Sequence, residues 1–169
     1  MFVKWTLIIS VLSVFISCTS FPAPESEKDT MLVILVEQDK NDRNDWIGYH
    51  YLKITDKSNR LAKTIKIPTT RSYAYVTGLL PGEYYISSVL LKDAEDGTVV
   101  AEDNENIHFS LKALTISFLQ KKFVNRQWAD PKKENSTWIE YKLVNYEKKD
   151  REELLKILEE NDNFILWKK

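Results

Sequence analysis

The stretch GLLPGEYYISSVLLKD, Gly78 to Asp93, carries the strongest fold signal in the sequence. Its Pro81–Gly82 pair predicts a type II turn, since proline presets φ at the second turn position and glycine tolerates positive φ at the third. Residues Tyr84–Leu91 then predict a strand, because they are rich in aromatic and aliphatic side chains. The DAEDGT that follows predicts a hairpin connection with Asp-Gly, and the return strand begins at Val99–Val100.

Short strands are also predicted on both sides of this stretch. Met31–Val36 is a continuous apolar run, typical of a buried central strand. Residues 46–55 predict an aromatic strand with Tyr49 and Tyr51 on one face and His50, Leu52 and Ile54 on the other. Further alternating segments cover residues 61–67, 72–77, 107–111, 114–118 and 138–144. Residues 121–137, KKFVNRQWADPKKENST, predict a long connection instead.

A single helix is predicted near the C-terminal end of the sequence. Asp150 is the expected N-cap, with Glu153 completing a capping-box pattern. An apolar stripe at helical spacing follows, formed by Leu154, Leu155, Ile157 and Leu158. The tail FILWKK is too apolar to remain in water, so we expect Phe164, Leu166 or Trp167 to dock on the strands.

The segment YVTGLLPGEYYISSV, residues 75–89, resembles a signature of prealbumin-like and fibronectin-type β-sandwiches. Cna-type B domains and carboxypeptidase-regulatory-like domains are bacterial members. The resemblance implies that Leu79 or Leu80 plugs the core and that the Tyr84 hydroxyl bonds to nearby backbone. We therefore expect a mainly β fold: an antiparallel sandwich of about seven to nine strands with one C-terminal helix. No residue set matches the Lys–Asn isopeptide bond of some Cna-type domains.

The beginning of the sequence has the features of a secretory signal. Lys4 precedes an uncharged run, Thr6–Ile16, which is shorter than the roughly 20 residues of a spanning helix. Phe15-Ile16-Ser17-Cys18 then resembles the lipobox of bacterial lipoproteins, although Leu is usual where Phe15 stands. The resemblance implies cleavage before Cys18 and a diacylglycerol on its sulfur. The alternative is an ordinary secretory peptide that leaves Cys18 as a stray thiol.

These signals divide the chain into four parts. Residues 1–17 are the expected signal peptide, and residues 18–29 are the lipidated Cys18 with a flexible tether rich in proline, serine and charge. Residues 30–146 are the expected β-sandwich domain. Residues 147–169 are the helix and tail packed on it. By resemblance to the sorting rule of enteric bacteria, Thr19 after the cysteine favours the outer membrane in a cell with two membranes.

No catalytic, cofactor-binding or metal-binding pattern stands out. His50 and His108 lie in alternating patterns and predict structural or surface roles, and no third histidine or second cysteine is present for a zinc site. Two acidic loops, 39–45 and 102–106, offer oxygen ligands for calcium but lack the glycine and final glutamate of an EF-hand. With 24 basic and 25 acidic residues, the chain lacks the basic excess of a nucleic-acid-binding protein.

Aromatic residues are the remaining functional clue. We expect a non-enzymatic protein-binding or assembly module of the cell envelope, held at the membrane by its lipid. The alternative is a carbohydrate-binding sandwich that stacks sugars on exposed aromatic rings. For either function, the candidate surface consists of Trp46, Tyr49, Tyr51, Tyr73 and Tyr75. The competing explanation is that these tyrosines only stabilise a half-exposed sheet through cross-strand pairs.

Overall fold

A computed structural model describes residues 21–40, 48–129, 132 and 137–167 of the chain, with the side chains of residues 40, 129 and 137 excepted. Cys18 and Trp46 lie outside the described residues. The described part contains nine strands, an α-helix and a 3-10 helix. They are β1 (Thr30–Lys40), β2 (Gly48–Asp56), β3 (Leu61–Lys66), β4 (Tyr73–Thr77), β5 (Gly82–Asp93), β6 (Val99–Leu111), β7 (Thr115–Phe118), β8 (Lys121–Ala129), β9 (Thr137–Asn145), α1 (Lys148–Glu159) and the 3-10 helix Asp162–Leu166.

The strands form two sheets, which confirms the mainly β sandwich. The first sheet has the order β4-β1-β8-β9, with β7 also paired to β1, and the second has the order β3-β2-β5-β6. The second sheet is antiparallel throughout. In the first sheet, however, β1 runs parallel to both β7 and β8. The expectation of a wholly antiparallel sandwich is therefore wrong for this sheet.

The mixed sheet explains why β1 is apolar at every position from Met31 to Val36. Leu32, Ile34 and Val36 point between the two sheets and belong to the main hydrophobic core. Met31 and Val33 point to the outer face of the first sheet, where a second core includes Leu154 and Leu158 of α1. A strand that is covered on both faces has no solvent side on which to place polar residues.

The strand β8 corrects the predicted connection over residues 121–137. It pairs with β1 on one side and with β9 on the other, so it lies inside the first sheet. Its alternation is disguised because the inward positions after Phe123 are polar: Asn125 is 1% exposed and Gln127 is fully buried. A pattern search based on apolar periodicity therefore finds no strand there.

The Pro81–Gly82 turn is built differently from the prediction. The residue with positive φ is Gly78, at 75°, while Gly82 opens β5 without one. The chain bends at both Gly78 and Pro81, on either side of the two leucines. This places Leu79 in the core at 7% exposure and leaves Leu80 outside. The Tyr84 hydroxyl donates to the Leu80 carbonyl at 2.9 Å, as the resemblance implied.

The helix α1 covers the outer face of the first sheet. Its N-cap is Glu147, and Asp150 is the third helical residue of a capping box with Glu147, so the predicted N-cap at Asp150 is wrong. Lys122 of β8 bridges Glu37 at 2.6 Å and Asp150 at 3.4 Å, which ties the start of the helix to the sheet. Of the expected stripe, Leu154 and Leu158 are buried, and Ile157 is 39% exposed.

The tail and the beginning of the described chain pack together beneath this helix. Phe164 and Trp167 are buried as expected, whereas Leu166 is 53% exposed. Phe21 joins them at 1% exposure. Phe21, which lies in the segment 18–29 predicted to be a tether, therefore packs against the domain.

Candidate binding surfaces

The structure does not bring the predicted tyrosines together on one surface. Tyr49 and Tyr51 lie on the outer face of the second sheet, opposite the buried His50 and Leu52. Tyr73 and Tyr75 lie in β4 on the first sheet, where they pack against the core beneath α1. The two pairs therefore occupy opposite outer faces of the sandwich, and a single ligand of small size cannot contact both.

Lysine side chains cover the first of these pairs. The Lys66 ammonium lies 3.2 Å from the centre of the Tyr49 ring, and that of Lys92 lies 4.9 Å from the Tyr51 ring. Such cation–π contacts are favourable by about 0.5–1 kcal/mol at exposed sites. One face of each tyrosine ring is thus in contact with a lysine of the same sheet. This supports the explanation that these tyrosines stabilise the surface of the sheet.

A different surface offers an open apolar site. A groove of about 370 Å³ lies at one end of the sandwich, with walls contributed by both sheets. Its apolar lining residues are Leu91, Val100, Trp138 and Ile139, its polar ones are Lys92 and Asp93, and Gly48 completes it. Val100 is 63% exposed and Trp138 is 54% exposed, and the adjacent Val99 is 49% exposed. We call Val99, Val100 and Trp138 with this groove the end groove.

Gly48 determines how closely the walls of the end groove approach each other. A Cβ atom at this position would lie 2.9 Å from the terminal methyl carbons of both Ile139 and Leu91. Only glycine lets these two side chains, one from each sheet, meet over the backbone at the start of β2 without being displaced. The groove therefore has a preformed floor.

Two edge strands border the end groove. The strands β6 and β9 are the terminal strands of their sheets in the described part of the chain. Terminal strands present backbone N–H and C=O groups that a further strand can pair with. Beyond the groove, β6 continues with the sequence EDNEN, residues 102–106.

These acidic residues lie in a strand, which corrects the predicted loop at 102–106. Glu102 accepts hydrogen bonds from Lys53 and from Ser88, both at 2.7 Å. The hydrogen bond from Lys53, followed by that from Ser88, holds the pKa of Glu102 below its usual value. The other predicted loop, 39–45, lies outside the described residues apart from Asp39 and the backbone of Lys40. No group of three or more candidate metal-binding side chains occurs among the residues that the structure describes.

A buried polar cluster lies between the sheets near β9. His50 is 2% exposed, and its ring contacts those of Phe123 and Tyr141 with centroid distances of 5.4 and 5.5 Å. Burial lowers the pKa of His50 to about 4, and the neighbouring Asn125 amide and Asp103 carboxylate only partly oppose this. His50 is therefore neutral at pH 7, and its Nδ1 atom lacks a hydrogen bond of ordinary geometry within the described structure.

Tyr141 carries the only other strongly shifted pKa among the described residues. Its hydroxyl donates to Glu105 at 3.2 Å. Burial, followed by the negative charges of Glu105 and Asp103, raises the pKa of Tyr141 well above its usual value. The rings of His50 and Tyr141 both contact Phe123 between the two sheets. His50 does not line the end groove.

The chain matches no protein-family model and no curated protein. None of the described helices is long and apolar enough to cross a bilayer.

The predicted candidate surface does not include the end groove, although the sequence contains one signal for it. Val99 and Val100 are consecutive β-branched residues in a strand, so one of them must face away from the core. Their position in the sequence predicted only the start of a strand. Trp138 was predicted to lie in a strand, but its neighbours across the sandwich become known only from the packing of the sheets.

Proposed function

We propose that this protein is a bacterial envelope lipoprotein, anchored through Cys18, whose domain binds another protein without catalysing a reaction. The observation that carries the binding role is the end groove, where Val99, Val100 and Trp138 expose apolar surface between two edge strands. Soluble domains rarely leave large apolar side chains grouped around a groove unless a partner covers them. An exposed tryptophan is also among the residue types most enriched in binding hot spots.

The occupant that fits this site best is an extended segment of a different protein. A segment that adds to the free edge of β6 gains main-chain hydrogen bonds, and alternate side chains enter the groove. Asp103 and Glu105, which follow along β6, favour a segment with lysine or arginine beyond its apolar anchor, while the charge of Glu102 is already paired with Lys53. A second copy of this chain fits poorly, because antiparallel pairing of β6 with itself in the register centred on residues 102–105 would place carboxylates opposite each other.

The carbohydrate alternative has less support at this site. Sugars need several convergent hydrogen-bonding groups beside a stacking ring, since each hydroxyl loses hydrogen bonds to water on binding. In the end groove, Lys92 and Asp93 are the polar lining residues, and the remaining surface is apolar or glycine. Tyr49 and Tyr51, the other candidate platform, lie beneath lysine ammonium groups.

The anchor is tested by intact mass and membrane fractionation in a bacterial host. The wild-type chain is expected to begin at Cys18 with added diacylglycerol mass and to sediment with membranes. Cys18→Ser is expected to lack this mass and to leave the membrane fraction. If both chains are processed alike and carry no lipid, the anchor is wrong.

The binding role is tested by site-specific photo-crosslinking in the same host. A photoreactive side chain at Val100 is expected to give a discrete protein adduct that disappears when Trp138→Ala is added. The matched control places the same group at Leu61, which is similarly exposed at 60% but lies on β3, the opposite edge of the sheet. Mass spectrometry of the adduct is expected to identify an extended partner segment carrying basic residues. Equal adducts from both positions, or an adduct insensitive to Trp138→Ala, would contradict the proposal.

A further inference from the structure

The N-terminal end of the described chain is fastened to the 3-10 helix by two side-chain hydrogen bonds. Asn163 Nδ2 donates to the carbonyl of Phe21 at 2.8 Å, and Trp167 Nε1 donates to the carbonyl of Pro22 at 2.8 Å. The Phe21 ring packs against Phe164 with a centroid distance of 5.7 Å. Because Phe21 is 1% exposed, this attachment belongs to the folded core of the protein.

This attachment limits the distance between Cys18 and the 3-10 helix. Three residue steps separate Cys18 from Phe21, and each spans at most 3.6 Å, so the two Cα atoms lie within about 11 Å of each other. An acylated Cys18 has its sulfur at the level of the lipid headgroups. With Cys18 acylated, this short stretch of chain and the contacts of Phe21 and Pro22 would together hold the 3-10 helix close to the bilayer surface.

The last two residues of the 3-10 helix expose apolar side chains, while Asp162 at its start is exposed and acidic. Ile165 is 79% exposed and Leu166 is 53% exposed, although they stand between the buried Phe164 and Trp167. In sequence, Lys168 and Lys169 follow directly. Exposed aliphatic side chains beside lysines are typical of a segment that enters the interface of a membrane with anionic lipids.

From these observations we infer that Ile165 and Leu166 insert into the bilayer to which Cys18 is attached, so that the domain has a defined orientation on the membrane. The inference rests on the proposed lipidation of Cys18 and extends it from an anchor to a two-part attachment. Lipid chains combined with a second membrane contact hold a protein more firmly than lipid alone. The end groove and the 3-10 helix share no residues.

The test uses the full lipidated chain in vesicles of phosphatidylethanolamine and phosphatidylglycerol. An Ile165→Cys variant is labelled with an environment-sensitive nitrobenzoxadiazole dye, since the sulfur of an acylated Cys18 cannot react. The matched control carries the dye at Leu61→Cys, which is exposed to a similar degree on the other sheet. We expect the dye at residue 165 to emit at shorter wavelength and to be quenched by nitroxide-bearing lipids, and the dye at residue 61 to show neither effect.

The possible failures of the inference can be distinguished. Lipid mass on the chain together with equal, water-like emission from both positions would overturn the orientation and leave the anchor intact. Absence of lipid mass would overturn the anchor and the inference with it. A wavelength shift that increases with the number of protein molecules per vesicle, and that nitroxide-bearing lipids do not quench, would indicate that a second copy of the chain covers residue 165. This result would also overturn the inference.

A second variant measures how much the apolar contact contributes. Ile165→Glu with Leu166→Glu changes exposed side chains, so the fold is expected to persist with an unchanged circular dichroism spectrum. Carboxylates at the interface are disfavoured, so extraction of the lipidated variant from vesicles by carrier protein should be at least about tenfold faster than for wild type. An unchanged extraction rate would contradict the insertion of these two residues.

Discussion

At the residue scale, polar groups inside the sandwich have unequal effects on stability. The Tyr84 hydroxyl lies at the surface of the sandwich, where it donates to the Leu80 carbonyl. In contrast, His50 Nδ1 and both polar atoms of the Asn125 side chain are buried without hydrogen bonds of ordinary geometry. An unsatisfied buried polar group costs about 1–3 kcal/mol.

Tyr84→Phe is expected to destabilise the domain by about 1 kcal/mol. The phenyl ring keeps its packing against the core, but the Leu80 carbonyl loses its hydrogen bond. The control is Tyr85→Phe, whose hydroxyl bonds to the exposed side chain of Asn59 and can be replaced by water. Urea unfolding of the three chains gives the comparison, and equal losses would show that the backbone contact at this corner has no special role.

His50 makes the stability of the domain depend on pH between about 4 and 6.5. Its folded pKa of about 4 lies below the unfolded value of 6.5, so the unfolded state binds the proton more tightly in this range. The contribution of His50 to the free energy of unfolding is therefore fully present above pH 6.5. It is lost as the pH falls towards 4, by up to about 3 kcal/mol. Urea unfolding from pH 5 to 7.5 measures the slope.

Two variants separate His50 from other groups that titrate in this range. His50→Phe removes the buried imidazole and is expected to flatten the dependence of stability on pH above pH 5. His108→Gln removes an exposed histidine and is expected to leave the slope unchanged. A slope that persists in His50→Phe would mean that another group is responsible.

At the scale of elements, the function of α1 is to cover the outer face of β1. The helix is held by the capping box at Glu147, by the Lys122 bridge and by the burial of Leu154 and Leu158. Burial is the dominant contribution, because partly exposed ion pairs contribute about 0–1 kcal/mol each whereas a buried leucine contributes several times more.

Leu158→Ala is therefore expected to cost about 2–5 kcal/mol, because the side chain is fully buried and its removal leaves a cavity. Ile157→Ala changes the neighbouring residue, which is 39% exposed, and is expected to cost less than about 1 kcal/mol. Chemical denaturation of both variants measures the difference. Similar losses would show that the helix does not cover the sheet in the manner described.

At the scale of the whole molecule, stability is expected to decrease from β1 outward. β1 pairs with β4, β7 and β8 and is buried on both faces, whereas β6 is an edge strand whose residues 99–104 are exposed. The segment proposed to bind a partner is thus the least protected part of the second sheet. This arrangement leaves its backbone available for pairing without disturbing the core.

Native-state hydrogen exchange measures this gradient directly. Amides of β1 from Leu32 to Val36 are expected to exchange only by global unfolding. Those of residues 99–104 are expected to exchange at least about a thousandfold faster through local opening. Uniform protection across both strands would contradict the gradient and would weaken the argument for strand addition at β6.

Much of the fold is predictable from the sequence because it follows from local alternation. Alternation of apolar and polar residues predicts most of the strands. The continuous apolar run of β1 predicts a central strand, and Leu79 with Tyr84 predicts a corner of the sandwich. Each of these signals reports which side of a segment avoids water. The amphipathic stripe of α1 belongs to the same class of signal, and so does the burial of Phe164 and Trp167.

Sequence alone thus determined a two-layered β domain with a covering helix, while tertiary structure decided how its parts meet. Local patterns do not state which element covers an apolar face. For this reason β8, with its buried Asn125 and Gln127, was mistaken for a connection, and the four tyrosines were grouped although they lie on opposite faces. The end groove and the docking of Phe21 arise only where segments distant in the chain come together, because their apolar surfaces are buried by residues that no local window contains.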